Sequence, residues 1–590
     1  MRQIIFLILL LLHAANGFYA QLFTKLSTGV LVNTPSDSRG VNFADVNNDG
    51  FDDVFITNGP ASKAHNLLYL NNGNGTFTFD SLNAIVQDTS SFDGATFGDA
   101  DNDGDLDAYV VTWYNYKNYF YRNTGTGSFI HEPTTVSGST GYYSEVASWG
   151  DFNQDGVLDL YVTNSGGNKK NLLFQNQGAG TFTQVTAGSV VNDAFSSRCV
   201  NWTDYDNDND LDLFVTNESN QLNNLYQNNN GTFTKLNTIS PVLSYKSSMT
   251  SSWADVDNDG DLDLFVGNSL YFSPQNNQLF TNNNDGTFTE VTNGVIANDG
   301  ACTYGSSFAD YDNDGDVDLF VSNGYFNGLI SNFLYKNDGA GGFTRDSISL
   351  PSYTTPCSYG CAWGDLNNDG FQDLVVSTCR NNSNTPLPDN MLYMNNGNGN
   401  SWLEIKLKGS VSNKNAIGAK IYVTAVIGGS VVTQLREVIA QTGQCGQNSL
   451  TQHFGLGNAT TVQSVQIRWP SSLITNSTSM ATNTLLLMNE PDPVGLATHD
   501  IPKVFFTCYP NPGSGTVNFE ISNPNQIVYK DLTITTTEGK KIKCIELNSN
   551  NPLITVKAEL HVLKLKPGLY LAELRSNKGS TRLKFILLSE

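Results

Sequence analysis

Between Phe23 and Asn400 apolar and polar residues alternate in short runs, with no sustained helical period, and the same order of runs recurs seven times. Each unit reads as an apolar strand, an acidic loop, a second strand, an Asn-rich connector, a third strand, a Gly-Asn turn and a short strand built on Thr-Phe-Thr. In the unit beginning near Ala95 these are Thr96-Phe97, the loop opening at Asp99, Asp107 to Val111, Tyr119 to Tyr121, and Ser128-Phe129. β-Branched and aromatic residues between turn formers predict strands. Four short strands per unit, repeated seven times, predict a seven-bladed β-propeller. An aromatic residue stands two positions before every acidic loop: Phe43, Phe97, Trp149, Trp202, Trp253, Phe308 and Trp363. Large rings at one inward strand position are expected to pack between blades.

A ring of blades must close. The fourth-strand Phe precedes the next acidic loop by 22 residues at Phe77, Phe129, Phe182, Phe233, Phe288 and Phe343, and Phe23 precedes the first loop by the same interval. Leu22 to Leu26 is therefore expected to supply the fourth strand of the seventh blade and leave no open sheet edge, with Trp402 as a rival for that place.

The acidic loops follow Asp-x-Asp/Asn-x-Asp-Gly-x-x-Asp and begin 51 to 55 residues apart. Positions 1, 3, 5, 7 and 9 are Asp45, Asn47, Asp49, Phe51 and Asp53 in the first loop, and Asp99, Asp101, Asp103, Asp105 and Asp107 in the second. The third has Asp151, Asn153, Asp155, Val157 and Asp159, and the fourth Asp204, Asp206, Asp208, Asp210 and Asp212. Asp255, Asp257, Asp259, Asp261 and Asp263 form the fifth, Asp310, Asp312, Asp314, Asp316 and Asp318 the sixth, and Asp365, Asn367, Asp369, Phe371 and Asp373 the seventh. So many hard oxygen donors suit Ca²⁺ better than Mg²⁺, giving up to seven calcium sites. Position 7 is expected to coordinate through its carbonyl, because Phe51, Val157 and Phe371 carry no side-chain ligand. An EF-hand opens with the same spacing but needs a bidentate Glu at position 12. Here that position is Ile56, Val110, Val162, Val215, Val266, Val321 or Val376, as in a strand. The loops with four carboxylates, at Asp99, Asp204, Asp255 and Asp310, are expected to bind more strongly than those with Asn at position 3. Asn209 replaces the turn Gly of the fourth loop, which Asn tolerates.

Composition changes the picture in three ways. A net charge of −24 excludes nucleic acid as a natural partner. Thirty of the 56 acidic residues lie inside the loops, and seven divalent cations would bring the net charge to −10. Arg2, the apolar run Ile4 to Leu12 and small residues towards Ala20 read as a secretory signal at 1–20. No later stretch could span a membrane, so no transmembrane anchor is expected in the mature chain. Eight cysteines are then expected to meet an oxidising compartment, with Cys302–Cys357 and Cys361–Cys379 as the pairings considered.

The repeats resemble the FG-GAP/VCBS family, whose acidic loops bind calcium in integrin alpha-chain propellers. Residues Trp402 to Asn489, with Asn415 to Ala419, Arg436-Glu437, His453 to Gly457 and Ile467 to Pro470, resemble the ASPIC and UnbV domain. After Pro491 the charge balance turns from strongly acidic to weakly basic. There Tyr509 to Pro512, Asn518 to Ile521, Gly539 to Lys541 and Leu565 to Tyr570 resemble the C-terminal sorting domain of type IX secretion. The resemblances imply an all-β chain: a propeller over 21–400, a β-rich domain over 401–490, a linker over 491–505 and a β-sandwich over 506–590. They also imply export through the outer membrane of a Gram-negative bacterium, as a secreted or a surface-attached protein.

Catalysis finds little support, since the six histidines are scattered and His453 reads as structural. The connectors between second and third strands carry Trp113, Tyr114 and Tyr116, Tyr271 and Phe272, and Tyr325 and Phe326, and the links between blades add further tyrosines, Tyr353 among them. Rings beside Asn and Ser suit an extracellular glycan or protein ligand. The alternative is a calcium-dependent polysaccharide-degrading enzyme, a lyase or hydrolase, on the same scaffold.

Overall fold

The computed structural model of the chain describes residues 21–491, apart from 60–63, 133–140, 272, 326–330, 350–356 and 382–384, and the strands between 505 and 587. The signal reading at 1–20, most of the linker, Phe272, Phe326 and Tyr353 lie outside the described residues. Chain contacts divide the protein into two compact units, Met1–Glu490 and Pro491–Glu590.

Seven antiparallel blades of four strands are arranged in chain order. In the third blade, for example, Ser144–Gly150, Asp159–Asn164, Leu172–Asn176 and Phe182–Val185 pair successively. The innermost strands are almost wholly buried because both of their faces meet neighbouring blades. Phe23–Lys25 pairs with Met391–Asn395 of the last blade, Phe23 opposite Asn395, so the first strand of the chain closes the ring. Trp402 lies instead in Ser401–Lys408, which pairs with Gln452–Gly457 outside the propeller. The aromatic before each loop packs where expected: the Trp149 and Trp202 indoles sit against Gly98 and Gly150 of the preceding blades and donate to the Thr96 and Ser148 carbonyls.

A buried Asn ends each third strand: Asn71, Asn123, Asn176, Asn228, Asn282, Asn337 and Asn395. Asn123 shows its work. Its N–H donates to the position-9 Asp107 (2.8 Å), and its amide spans the carbonyls of Leu106 and of Val46 in the preceding blade. The same three-way bond recurs in all seven blades, the first reaching across the closure to Leu366. Their distance from their own loop varies with connector length, whereas the first six stand 27 or 28 residues before the next loop.

The remainder of the first unit, its second domain, consists of Ser401–Lys408 with Gln452–Gly457 and Thr484–Asn489, and a four-stranded sheet of Ser430–Glu437, Lys420–Ile427, Thr461–Arg468 and Ile474–Ala481. From it the segment 440–448 enters the propeller's axis. Gly446-Gln447 adds a short parallel strand to Ser38–Ala44, Gln447 bonds both backbone groups of Phe97, Asn201 donates to the Gln441 carbonyl, and Asn448 reaches Ser307 and Trp363. Glycine is needed for this approach, since a Cβ on Gly443 would lie 2.0 Å from the Ser306 carbonyl oxygen. The axis is therefore plugged from the acidic-loop side.

The disulfide joins Cys357 to Cys379. Neither pairing considered from the sequence forms: a bulge between Ser358 and Cys361 turns Cys361 into the core, while Cys357 lies directly across from Cys379. Cys302 is buried and free. The second unit contains a three-stranded and a four-stranded sheet, the latter burying Leu532, Ile534, Ala572 and Leu574.

Candidate functional site

Each acidic loop joins the first and second strands of its blade and is wound by its own carboxylates. The position-1 side chain accepts the N–H groups of positions 5 and 6, as Asp99 does from Asp103 (3.0 Å) and Gly104 (2.8 Å). Position 9 accepts from the buried Asn at the end of the third strand, here termed the latch Asn, in every loop, and from position 2 in all but the fourth and sixth. Position 4 is left-handed in every loop, from Asn48 to Asn368, and position 6 likewise, with Asn209 at φ 75° in place of glycine. Position-4 side chains link neighbouring loops: Asn48 donates to Asp105 (2.6 Å), Gln154 to Asp210, and Asn258 to Asp316 (2.8 Å). These three position-7 carboxylates thus serve the next loop round the ring.

Position 3 separates the loops into two kinds. Where it is Asn, its amide donates to position 5, at 2.9 Å in Asn47–Asp49, Asn153–Asp155 and Asn367–Asp369. Where it is Asp, no such donor exists and carboxylates converge. Asp99, Asp101 and Asp107 bring one oxygen each within 4.8 Å of one another, as do Asp204, Asp206 and Asp212; Asp255, Asp257 and Asp259; and Asp310, Asp312 and Asp318. Several of these oxygens are buried without a hydrogen-bond partner, on Asp101, Asp204, Asp206, Asp212, Asp257, Asp312 and Asp318, as are both of Asp261. Leaving a charged oxygen dry and unpaired is costly, and a divalent cation with a preference for oxygen ligands removes that cost. The four converging loops are those with four carboxylates. Position 5 joins the cluster only in the fifth loop, and position 9 in the other three.

Burial, reinforced by neighbouring carboxylates, pushes these acids up: Asp99 to about 6, Asp255 to about 7, Asp53 and Asp107 to about 8 and Asp263 to about 9. Folded values above the ordinary ~3.9 mean that the metal-free fold holds protons the unfolded chain has released. The associated stability is complete below about pH 4 and is lost as pH rises through about 6 to 9. Metal-free protein is therefore expected to melt at steadily lower temperature across that range, whereas calcium-saturated protein is not; scanning calorimetry at a series of pH values checks both. A second expectation concerns Asp206→Asn, which gives the fourth loop an amide like that of Asn47. Metal-free stability should hold or rise while calcium affinity at that loop falls on the order of tenfold, as carboxylate count sets affinity; calorimetric titration beside the parent protein decides it.

The acidic-loop face is covered. Lys406 Nζ lies 3.0 Å from Asp45, Lys420 Nζ 3.0 Å from Asp204, the Asp99 N–H donates to Asn415 and the Asp204 N–H to Glu437. His453 Nε2 meets Asn313 at 2.7 Å. The motifs singled out between Trp402 and Asn489 are thus largely contacts with the loops, and His453 is buried among them.

Connectors and blade links occupy the opposite face. Trp113, Tyr114, Tyr271 and Tyr325 line one cavity of about 230 Å³ there, with Tyr304 and Tyr359. Tyr116 is exposed and outside it, its backbone bridged to Tyr142. A ring of inner-strand residues, all but Met249 lining this cavity, surrounds the axis. One residue after the last pair before the slip in each inner strand come Arg39, Asp93, Glu145, Arg198, Met249, Tyr304 and Tyr359. All seven sit where the register slips, and such bulges re-aim side chains. Arg198 pairs with Glu145 (2.5 Å) and Glu218 (2.7 Å), and the Trp113 indole also donates to Glu145 (2.7 Å). The thiol of the plug's Cys445 donates to the Glu145 carbonyl at 3.6 Å.

A ring of seven blades wound on Asp-rich hairpins defines a propeller of the FG-GAP kind. Residues 45–110, 108–162, 151–215, 204–266 and 268–321 match the FG-GAP-like repeat, 409–494 match ASPIC and UnbV, and 507–588 match the secretion system C-terminal sorting domain, so the chain carries all three. Cartilage acidic protein 1 of Xenopus tropicalis is 27% identical over 329 residues, 48% of this chain and 48% of that protein. The Homo sapiens protein of that name is 27% identical over 319 residues, 48% and 47% of the two chains. The chain thus spans about half the length of these curated relatives. Among solved structures, BBS1N in complex with ARL6DN is similar with a TM-score of 0.38 at 11% identity, covering 63% of this chain and 97% of that one. Among the described residues no helix is long and apolar enough to cross a membrane.

Proposed function

We propose that the protein is a calcium-stabilised binding module exported by the type IX machinery, through its C-terminal sorting domain, to the outer surface or surroundings of a Gram-negative bacterium. Calcium is structural: the converging carboxylates lie beneath the second domain, remote from the open face. Extracellular calcium would saturate such loops, and the protein would then present a rigid connector face to a glycan or protein. One observation carries this reading. Aromatic side chains from separate connectors, Trp113, Tyr114, Tyr271 and Tyr325, meet at one cavity on the face that the second domain leaves uncovered. Exposed rings in a concave setting are a usual basis for extracellular recognition.

Screening the calcium-loaded protein against glycan and extracellular-protein arrays tests it. Ligands are expected to be retained by the parent and lost by at least about tenfold in Tyr114→Ala/Tyr271→Ala, whose rings are about half exposed. Retention unchanged by that double substitution would place recognition elsewhere and defeat the reading.

A further inference from the structure

The seven repeats agree closely at the loop, the latch Asn and the interblade aromatic, yet at the ring position they carry two Arg, Asp, Glu, Met and two Tyr. Folding alone asks for no such diversity, because the neighbouring first position is Ser or Thr in six of the seven blades. The ring is asymmetric: Arg39 stands beside Tyr359 of the adjoining last blade, and Arg198 stands beside Glu145.

The two arginines differ in what they hold. Arg198 spends its guanidinium on Glu145 and Glu218. Arg39 is only 8% exposed, makes no ion pair among the described residues, and its Nε is buried without a hydrogen-bond partner. Its guanidinium lies over the Tyr359 ring, 4.4 Å from the centroid, and 5.2 Å from that of Tyr325. Stacking fixes the plane of the group while leaving its N–H edge unused, an arrangement made for a planar anion. Asp93, on the inner strand of the next blade, lies within electrostatic reach of Arg39 and beside Glu145, and burial together with the Glu145 carboxylate pushes the Asp93 carboxyl well above its usual range. The Glu145 charge is met by Arg198.

We infer, resting on the binding reading above, that this axial pocket takes the terminal uronic acid unit of an extracellular polysaccharide, with Arg39 pairing its carboxylate and the surrounding rings covering its C–H faces. At about 230 Å³ the cavity falls below the ~300–1,000 Å³ of clefts for drug-sized ligands, which suits a single ring. An acidic peptide side chain would satisfy Arg39 but leave most of the aromatic wall uncovered. A neutral sugar would cover the wall but leave Arg39 unpaired.

Full-length protein in calcium buffer is titrated with oligogalacturonate, with a neutral galactose oligomer of equal length, and with polyglutamate. Oligogalacturonate is expected to bind at least tenfold more tightly than either. Arg39→Gln should weaken it by about 10- to 100-fold, the loss of a charge-assisted pair. Lys170→Gln, an exposed charge on the same face, should leave binding unchanged. Melting temperature and bound calcium are compared for each variant; should Arg39→Gln fold poorly, Tyr271→Ala at the exposed rim provides the same reading. Equal binding of neutral and acidic sugars, or an Arg39→Gln protein that binds normally, overturns the inference and leaves the binding reading standing. Tighter binding of polyglutamate overturns it in favour of a protein ligand. No ligand at the connector face in either the titrations or the arrays overturns both.

Discussion

Stripping divalent cations is expected to lower the melting temperature of the propeller by on the order of 10 °C. A ligand that binds only the folded state contributes about 2.7 kcal/mol per site at a hundred times its dissociation constant. Four converging loops therefore supply on the order of 10 kcal/mol. One kcal/mol moves the midpoint by roughly 2–4 °C in a domain of 150–250 residues, and by less in a larger unit. The structural cause is local, in buried carboxylate oxygens on Asp204, Asp206 and Asp212, and on Asp312 and Asp318, that have no donor. Calcium should restore the midpoint at lower concentration than magnesium, which dehydrates reluctantly and demands a tighter octahedron. A melting curve indifferent to chelator would refute stabilising metal.

Trp149→Ala should have an effect of similar rank on one interblade seam. The indole is fully buried, its ring 5.9 Å from Phe182 and 6.3 Å from Phe120, and its Nε1 donates to the Thr96 carbonyl of the preceding blade. It belongs to a core continuous with Leu403, Ile405 and Ile421 of the second domain. Truncation removes that packing and leaves a cavity between rigid sheets, at a cost of about 3–5 kcal/mol. Urea denaturation followed by circular dichroism should show the propeller transition moved to lower denaturant. Trp149→Phe, which keeps a ring at the seam, should lose appreciably less, and an alanine variant as stable as the parent would contradict the packing role.

Features repeated at a fixed interval were legible in the chain itself. The strand order, the loops, the Trp149-type rings and the closing strand at Phe23 all recur with the repeat, and local periodicity is what strand formation follows. The division of the loops by their third position was legible as well, since Asp or Asn there decides whether a donor is present. What escaped notice depends on geometry that no spacing encodes. The latch Asn recurs 27 or 28 residues before the next loop, but its amide's bond to a carbonyl of the preceding blade is visible only in the fold. Arg39 and its ring partners look like ordinary strand residues until bulges turn them to the axis, and a bulge also explains why Cys357, rather than Cys361, meets Cys379. The plug at 440–448 touches strands some 80 to 400 positions away, and glycines at 443 and 446 show their purpose only beside Ser306 and Cys361.

The most direct test is a crystal structure of the purified protein with anomalous data collected to identify calcium, supported by elemental analysis of the same sample. Strong peaks are predicted within the carboxylate clusters at Asp99, Asp204, Asp255 and Asp310, and weaker ones at Asp45, Asp151 and Asp365. Water or empty density in the four clusters, with no calcium in the sample after dialysis against millimolar calcium, would contradict the account.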